Sequence, residues 1–491
     1  MAVMAVGLGS WLGGAATAQT FNVTNGNDNG TGTTVNTLSW AIAQANAAGG
    51  TINIQVDTTL TGSLREVIAA APITINGNGR TLSASGFQAF TVTSGNVTMN
   101  DLLVTGAVAR GANGGTGNGG GGGGLGGGGG LYVDTAATVT LQNVLFRNSQ
   151  AVGGNGGAGN GVSANGGSGG GYNVNANSAA AGTGGVAGDG DNGADGGYGG
   201  GGAGSGSGGT QGGQGNGGGN GGAPGVGGNG GNGLGGAVFV ANGATLNIRN
   251  TSALDNLDTS NQAIGGSGGT GTSTNGSAGP GSGGSLYVGI GSNAVFNNSG
   301  ADVNVTGDIY SNGRITVTGS GAGVVNFLGS TFNTGSSTGT FVESGILNGS
   351  TNSLQGPITN SANVRFAQNF NGVFNGNISG VGSVTIVGNG IVAFNNANTY
   401  TGGTTVVAGS TLQGTTSGIQ GNVLNNSTVT FFQNTTGTYA GNMSGAGGVN
   451  VNVTGGNTLN FTGTNTYTGG TNVAAGTLRG TTSNVQGAIF N

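Results

Sequence analysis

The chain has 491 residues, including 123 Gly and only 4 Pro, and it contains no Cys, no His and no Lys. Catalytic Ser-His-Asp and Cys-His sites, zinc sites built on His or Cys, P-loops and Schiff-base enzymes are excluded, because each needs a missing residue type. The net charge of -5, with 4% charged residues and eight Arg that never cluster, leaves no basic patch, so we expect no nucleic acid partner.

The N-terminal residues 1–18 are typical of a secretory signal peptide. Residues 1–14 are small and apolar, and Ala16-Thr17-Ala18 before Gln19 has the small-x-small form of a cleavage site. An apolar N-terminal strand is the alternative. No later stretch reaches the roughly 18 apolar residues of a membrane helix. We therefore expect an exported, soluble chain.

One stretch, TLSWAIAQANAA at residues 37–48, has helical spacing. Its apolar residues fall on one face: Leu38, Ala41, Ile42 and Ala45. Gly49 and Gly50 would end the helix, and the strand TINI follows at 51–54. A helix in this place would cap an open end of a repetitive fold.

Copies of one short strand unit follow between residues 90 and 300. GLYVDTAATVTLQN at 130–143 aligns without gaps on AVFVANGATLNIRN at 237–250, at a spacing of 107. NVTMNDLL at 96–103 aligns on TVTLQNVL at 138–145, and LYV at 286–288 begins a fourth copy. Apolar residues alternate within each copy, which predicts strands with one buried face.

Strands this short are not stable alone, so the copies must support one another. If each copy is one turn of a solenoid, parallel strands pair about 4.8 Å apart and Asn residues stack in ladders. Asp101, Asn143 and Asn250 occupy the same place after the strand and would turn the chain in a left-handed conformation. We predict an all-β fold: a right-handed parallel β-helix with a short N-terminal capping helix and long Gly-rich loop insertions.

Two resemblances agree with this fold. With ITINGNG at 73–79, the segment 21–108 resembles the N-terminal region of pectate-lyase-like right-handed β-helix proteins. The Gly-Gly steps at 128–131 and 235–238, with FRN at 146–148, resemble the outer-membrane-protein repeats of bacterial surface β-helices. That family pairs a GGA-apolar motif with Phe-x-x-Asn, and FRN is one residue short. The resemblance therefore implies the fold and no site.

Gly-rich stretches interrupt the turns at 111–130, 151–236 and 262–285. Because such sequence cannot recover its ordering entropy by burying side chains, we expect disorder or loosely packed glycine strands. GDGDNGAD at 188–195 could bind calcium as a glycine-aspartate β-roll does, but the nine-residue repeat of that motif is missing. Polar residues in a flexible loop are the favoured interpretation.

The C-terminal third carries the most specific motif. NTYTGGTTVVAGSTLQG at 398–414 recurs as NTYTGGTNVAAGTLRG at 465–480, and SLQGPITNSANVRFAQ at 353–368 recurs as GIQGNVLNNSTVTFFQ at 418–433. These units resemble the autotransporter-associated β-strand repeat of passenger domains in bacterial type V secretion. The resemblance implies repeats that lie near the outer membrane, stack early during export and help pull out the rest. It also implies an exported product located at the cell surface or outer membrane or in the extracellular space.

The chain divides into four parts on this interpretation. Residues 1–18 are the signal peptide, 19–110 the capped start of the β-helix, 111–300 turns with Gly-rich insertions, and 301–491 the β-helix with autotransporter-associated repeats. A translocator barrel needs many membrane strands of about ten alternating residues. None follows before Asn491, so we expect a passenger whose outer-membrane translocator barrel is absent from this chain.

β-Helix polysaccharide lyases and hydrolases are the rival class, and they need clustered acids or two placed carboxylates. The candidates are few: Asp255 and Asp258, Asp302 and Asp308, and Glu66 beside Arg65. Their spacing places no pair on adjacent turns, so we interpret Arg65 with Glu66, and Asp255 with Asp258, as solvated loop charges. We predict no catalytic, cofactor-binding or metal-binding residue.

Two tyrosines occupy the same place in the two C-terminal repeats. Tyr400 and Tyr467 could stack on sugars, but this equivalence favours packing beside a turn. We therefore expect a non-enzymatic, monomeric passenger region of a bacterial surface or secreted protein. It would act as an elongated adhesin or display stalk, and host or environmental glycans or surface proteins are its candidate partners.

Overall fold

A computed structural model describes residues 19–163, 165–171, 193–194, 200–207, 209, 211–215, 217–321, 323–329, 332–334 and 339–491. The predicted signal peptide at 1–18 and the three Asp of GDGDNGAD lie outside the described residues. Every pairing between the described strands is parallel, and 27 strands belong to one continuous sheet. The predicted parallel β-helix is confirmed.

The 27 strands form three rows along the solenoid, and the longest strands bend from one row into the next. The first row contains Thr20–Val23, Gly50–Ile54, Ile73–Ser83, Phe90–Thr105, Leu131–Arg147, Thr245–Arg249, Asn293–Asn297, Arg314–Thr318, Thr340–Val342, Ile358–Asn360 and Ile378–Ser379. The second row adds Asn27–Asp28, Thr58–Leu60, Leu254–Leu257, Val303–Val305, Val325–Phe327, Ile346–Gly349, Asn363–Ala367, Ser383–Val387, Thr404–Val406, Val423–Asn425 and Met443–Ser444. The third row adds Val67–Ile68, Val238–Val240, Leu286–Val288, Ile309–Ser311 and Phe332–Thr334.

Smaller parallel sheets complete the molecule. A seven-stranded sheet continues the C-terminal coils through Gly372–Phe374, Ile391–Phe394, Thr411–Gly414, Thr428–Gln433, Gly448–Val453, Thr471–Ala475 and Ile489–Phe490. A three-stranded sheet beside it contains Gly437–Tyr439, Thr458–Phe461 and Thr477–Arg479. Two further sheets, the insertion sheets, contain Val108–Arg110, Gln150–Val152 and Gln262–Ile264 in one, and Gly126–Gly127, Gly233–Leu234 and Gly281–Ser282 in the other.

The core consists of apolar side chains stacked in columns, and each coil contributes one side chain to a column. Alternation along each strand sends every second side chain inward, and the parallel register places it on the equivalent residue of the next coil. One such column is fully buried from the first coils onward: Ile52, Ile75, Met99, Leu141, Ile248, Phe296, Val317 and Val342. The spacing of 107 is confirmed, because Thr138 pairs with Thr245 and Leu131 with Val238.

Outward-facing Asn side chains form the predicted ladders. The Nδ2 of Asn76 donates to Asn53 at 3.0 Å, and the Nδ2 of Asn100 donates to Asn76 at 2.9 Å. A second ladder runs on the next row through Asn304, Asn326 and Asn348, with two contacts of 2.8 Å. Each ladder adds side-chain bonds between coils that the backbone pairing already holds in register.

The turn after the strand is left-handed at two of the three predicted positions. Asp101 has φ 49° and Asn143 has φ 54°. Asn250 does not adopt this conformation, so that prediction is wrong for it. Asn250 is instead buried, and its amide exchanges hydrogen bonds of 2.8 and 3.0 Å with the amide of Asn256.

The predicted capping helix spans Leu38–Ala48 and packs on the first coils. The Thr37 hydroxyl accepts a hydrogen bond from the Trp40 N–H at the N-terminus, and Gly49 ends the helix at φ 70°. The predicted face is buried, together with Ser39. Ser39 is held by Asp28, a buried carboxylate that accepts from the Ser39 N–H at 2.6 Å and from its hydroxyl at 2.5 Å.

The Gly-rich insertions pack beside the coils. Their described segments 111–126, 153–160, 165–171, 200–205, 217–233 and 265–279 are here called the glycine bundle. Along the first segment, N–H donors to one neighbour recur every third residue, at Gly111, Gly114 and Gly117, while Ala112 and Gly115 donate to another neighbour. A period of three is that of a polyproline II helix. Each straight run of these segments is therefore an extended threefold helix that bonds to neighbouring runs and not within itself, and a segment that folds back, such as 111–126, also pairs its own two runs.

The central segment of the glycine bundle, 119–126, is bonded on all sides. Its N–H and C=O groups form hydrogen bonds of 2.7–3.0 Å with six neighbours: 111–118, 153–160, 165–171, 200–205, 217–223 and 226–233. A Cβ on any residue of 119–124 would lie within 1.8–2.0 Å of a neighbouring carbonyl oxygen. Only glycine allows this approach. For the described residues, the expected disorder or loose packing is wrong, because backbone bonds replace side-chain burial.

Candidate functional site

The C-terminal repeat and the coil have different lengths. Successive coils there are about 20 residues apart, as in Val384 with Thr404 and Thr404 with Val423, whereas the repeat is 65 residues long. Equivalent residues consequently fall on successive rows: Ile358 lies in the first row, and Val423, its equivalent, lies in the second. The repeat is therefore a unit of about three and a third turns. Successive copies of its motif consequently lie on successive rows of the solenoid.

The Asn that opens NTYTGGT joins three coils in both repeats. The Asn398 side chain accepts from the Ile378 N–H at 2.8 Å and donates to the Gly418 carbonyl at 2.7 Å. The equivalent Asn465 accepts from the Met443 N–H at 2.7 Å and donates to the Asn484 carbonyl. Both Asn side chains are buried. Each bridges the coil before it and the coil after it.

The tyrosine of the motif is fixed in the same way in both copies. The hydroxyls of Tyr400 and Tyr467 lie 2.6 Å from the hydroxyls of Thr404 and Thr471, four residues further on. Both rings are buried, so packing is confirmed and neither ring offers a face to a sugar. Burial raises the pKa of Tyr400 to about 12. Gly403, at φ 77°, makes the turn between the two partners.

The acidic residues weighed as catalytic candidates hold coils together. Asp255 accepts from the Thr306 N–H at 3.2 Å and from its hydroxyl at 2.5 Å. Asp258 forms an ion pair with Arg147, at 2.8 Å between Oδ2 and Nε. The expectation of solvated loop charges is wrong for this pair of Asp residues. Sequence reasoning missed Arg147 because it lies 111 positions before its partner.

The other acidic candidates are separate from that pair. Asp302 accepts from the Val324 N–H at 2.7 Å. Arg65 is exposed while Glu66 is buried, so the solvated interpretation fails for Glu66. Asp308 lines an open cleft between the coils and an insertion sheet. Among the described residues no group of three or more acidic side chains could hold a metal ion.

No helix within the described ranges has the length and apolar character to cross a membrane. Two segments of the chain, residues 385–413 and 451–479, match the family model of the passenger-associated-transport-repeat. Each matched segment contains one NTYTGGT motif with its bridging Asn and buried Tyr. No curated protein and no solved structure matches the chain.

Proposed function

We propose that this chain, which carries two passenger-associated transport repeats of the kind found in autotransporter passengers, is a non-enzymatic passenger region exported to the cell surface or the extracellular space. In this role it is an elongated adhesin or display stalk. The observation that carries the proposal is the position of the repeats: both are continuous with the parallel coil stack, so they belong to the same rod as the rest of the passenger.

The geometry supports a role of these repeats in export. Each C-terminal coil forms its hydrogen bonds with a coil about 20 residues away, so folding needs no distant residue and no ATP. Asn398 and Asn465 add bonds to both neighbouring coils, which strengthens the nearest-neighbour interaction in this part of the stack. Coils that emerge from the membrane can therefore fold one on another and draw out the segment behind them.

The double variant Asn398→Ala with Asn465→Ala tests this role. Each substitution leaves buried backbone groups without their partner, at a cost of about 1–3 kcal/mol per site. With the chain fused to a heterologous translocator barrel, protease shaving of intact cells should show several-fold less surface passenger. The matched control Asn395→Ala removes an exposed amide nearby and should display normally. Equal display of the two variants would contradict the proposal.

The non-enzymatic part of the proposal is supported by the acidic residues. Asp255, Asp258 and Asp302 are engaged in contacts that join coils, and a glycosidase needs two carboxylates facing one bond. Incubation of the purified chain with plant and bacterial polysaccharides should release neither reducing nor unsaturated sugar ends. Sustained turnover in this assay would favour a β-helix lyase or hydrolase.

A further inference from the structure

We propose that the cleft beside the last strands of the two insertion sheets, where the glycine bundle ends, binds a neutral saccharide. The cleft has a volume of about 540 Å³, within the range of roughly 300–1,000 Å³ typical of ligand sites. Its side chains come from the end of the first insertion sheet and from the next coil: Thr259, Gln262, Ile264, Asp308 and Tyr310. This inference rests on the proposed passenger function and supplies the ligand class that an adhesin would need.

The cleft forms where the Gly-rich insertions end, because the following coil has no insertion. The two insertion sheets end at Gln262–Ile264 and Gly281–Ser282. In the next coil, the chain passes from Val303–Val305 directly to Ile309–Ser311, with no insertion between them. No further strand therefore covers the last strand of either sheet among the described residues. The result is an open cleft beside the last strands of the two sheets.

A column of four stacked aromatic rings extends along the coils to this cleft. The rings of Tyr132, Phe239, Tyr287 and Tyr310 stack on successive coils, with centroids 5.1–5.5 Å apart and interplanar angles of 3–9°. Tyr132 and Phe239 are buried in a cluster with two leucines of the insertions, Leu125 and Leu234.

Tyr287 packs against this cluster, and both Tyr287 and Tyr310 are only half-buried. Asn312 donates to the Tyr287 hydroxyl at 2.9 Å. Tyr310 is thus held by a rigid stack at the point where the column reaches the cleft, and a preorganised ring binds at low entropic cost.

The lining has the chemistry of a sugar site. Tyr310 and the 40% exposed Ile264 supply apolar surface for the C–H faces of a pyranose. The exposed Thr259 hydroxyl and Gln262 amide supply donors and acceptors for sugar hydroxyls, and Asp308 also lines the cleft.

The charges of the lining also select the ligand. Asp308 is the one charged residue that lines the cleft, and no basic side chain lines it. An anionic glycan would therefore be repelled. With Asp308 as the sole lining carboxylate, the cleft has the means to bind a glycosidic chain and not to hydrolyse it.

The alternative occupant is an extended peptide that pairs with the open strand edges. Those edges are short, at three residues in Gln262–Ile264 and two in Gly281–Ser282, so they offer few backbone bonds. A peptide paired to these edges would also make no use of the exposed Thr259 and Gln262 side chains. The saccharide is therefore favoured.

The test is a neutral oligosaccharide array probed with the full chain, followed by calorimetry on each sugar that binds. The double variant Thr259→Ala with Gln262→Ala should weaken binding about tenfold or more, because it removes two polar contacts. Both side chains are exposed, so coil pairing should survive. Tyr310→Ala should abolish binding, and Gln44→Ala, an exposed Gln on the capping helix, should bind as the unmodified chain does.

Two results would overturn the site: no neutral oligosaccharide binds, or the double variant binds as tightly as the unmodified chain. Capture of strand-forming peptides with affinity unchanged in the double variant would assign the cleft to edge pairing instead. Surface display of the same variants separates this inference from the proposed function. Cleft variants should be displayed normally, whereas an unmodified chain that binds sugar but is not displayed would count against the passenger role alone.

Discussion

Replacing Gly122 with Ala puts a methyl group into the most crowded part of the glycine bundle. The new Cβ would lie 1.8 Å from the Gly219 carbonyl oxygen, whereas real Cβ contacts are longer than 3.0 Å. The segment 217–223 must therefore retreat by more than about 1 Å. That movement breaks the 2.7 Å bond from the Gly219 N–H to the Gly123 carbonyl and strains the two bonds of Gly122 itself, with Gly170 and Gly202.

The magnitude follows from these three bonds. If the two strained bonds are lost together with the broken one, at about 1 kcal/mol each, the local free energy of unfolding falls by ~3 kcal/mol. The unfolded chain with Ala has less conformational freedom than with Gly, which offsets about 0.4–1 kcal/mol. The expected net loss is ~2–2.6 kcal/mol, which corresponds to roughly 30- to 80-fold faster amide exchange for the central segment.

Hydrogen exchange with peptic digestion and mass spectrometry measures this directly on peptides that contain 119–126. Ala278→Val is the matched control, because it adds bulk at an exposed position of the same bundle. Its exchange should equal that of the unmodified chain. Two outcomes would refute the reasoning: protection in the Gly122 variant within twofold of the unmodified chain, or no protection of these amides in either protein.

Alkaline pH should destabilise the C-terminal coils. Burial raises the pKa of Tyr400 to about 12 and raises that of Tyr439, so unfolded tyrosines ionise from pH 10 while these two stay neutral. The free energy of unfolding should be constant below about pH 9 and should fall by up to ~3 kcal/mol for Tyr400 as pH rises from 10 to 12. Urea midpoints measured across this pH range check the expected decrease. Tyr400→Phe is the control, because it removes the contribution of Tyr400 to the pH dependence. Asp258→Asn should cost about 1 kcal/mol through the ion pair with Arg147, and a double-mutant cycle that gives no coupling between the two would contradict that.

The sequence predicts those parts of the fold that side chains encode. The register between Thr138 and Thr245 follows from alternating apolar residues, because a slip of one residue would turn the buried set outward. The capping helix follows from one apolar face and Gly49. Both signals are local patterns of residue type, and the structure repeats them coil after coil.

The glycine bundle could not be predicted in this way. Its order depends on backbone bonds such as Gly122 to Gly202, and a run of glycines contains no side-chain pattern that selects one partner from another. The pair of Arg147 with Asp258 was missed for a related reason, because the insertions separate residues that the solenoid places on neighbouring coils. The cleft at Tyr310 depends on where an insertion stops in three dimensions, which spacing along the chain does not reveal.

Disulfide trapping tests the central claim, the stacking of coils in parallel register across the insertions. The chain has no Cys, so a pair introduced at Thr140 and Asn247 has no competitor. These residues are direct partners, 107 positions apart and about 4.8 Å from each other, within the reach of a disulfide. Mild oxidation of Thr140→Cys with Asn247→Cys should form the bond. Thr140→Cys with Arg249→Cys, two residues out of register, should not. Equal trapping of both pairs, or of neither, would contradict the stacked solenoid.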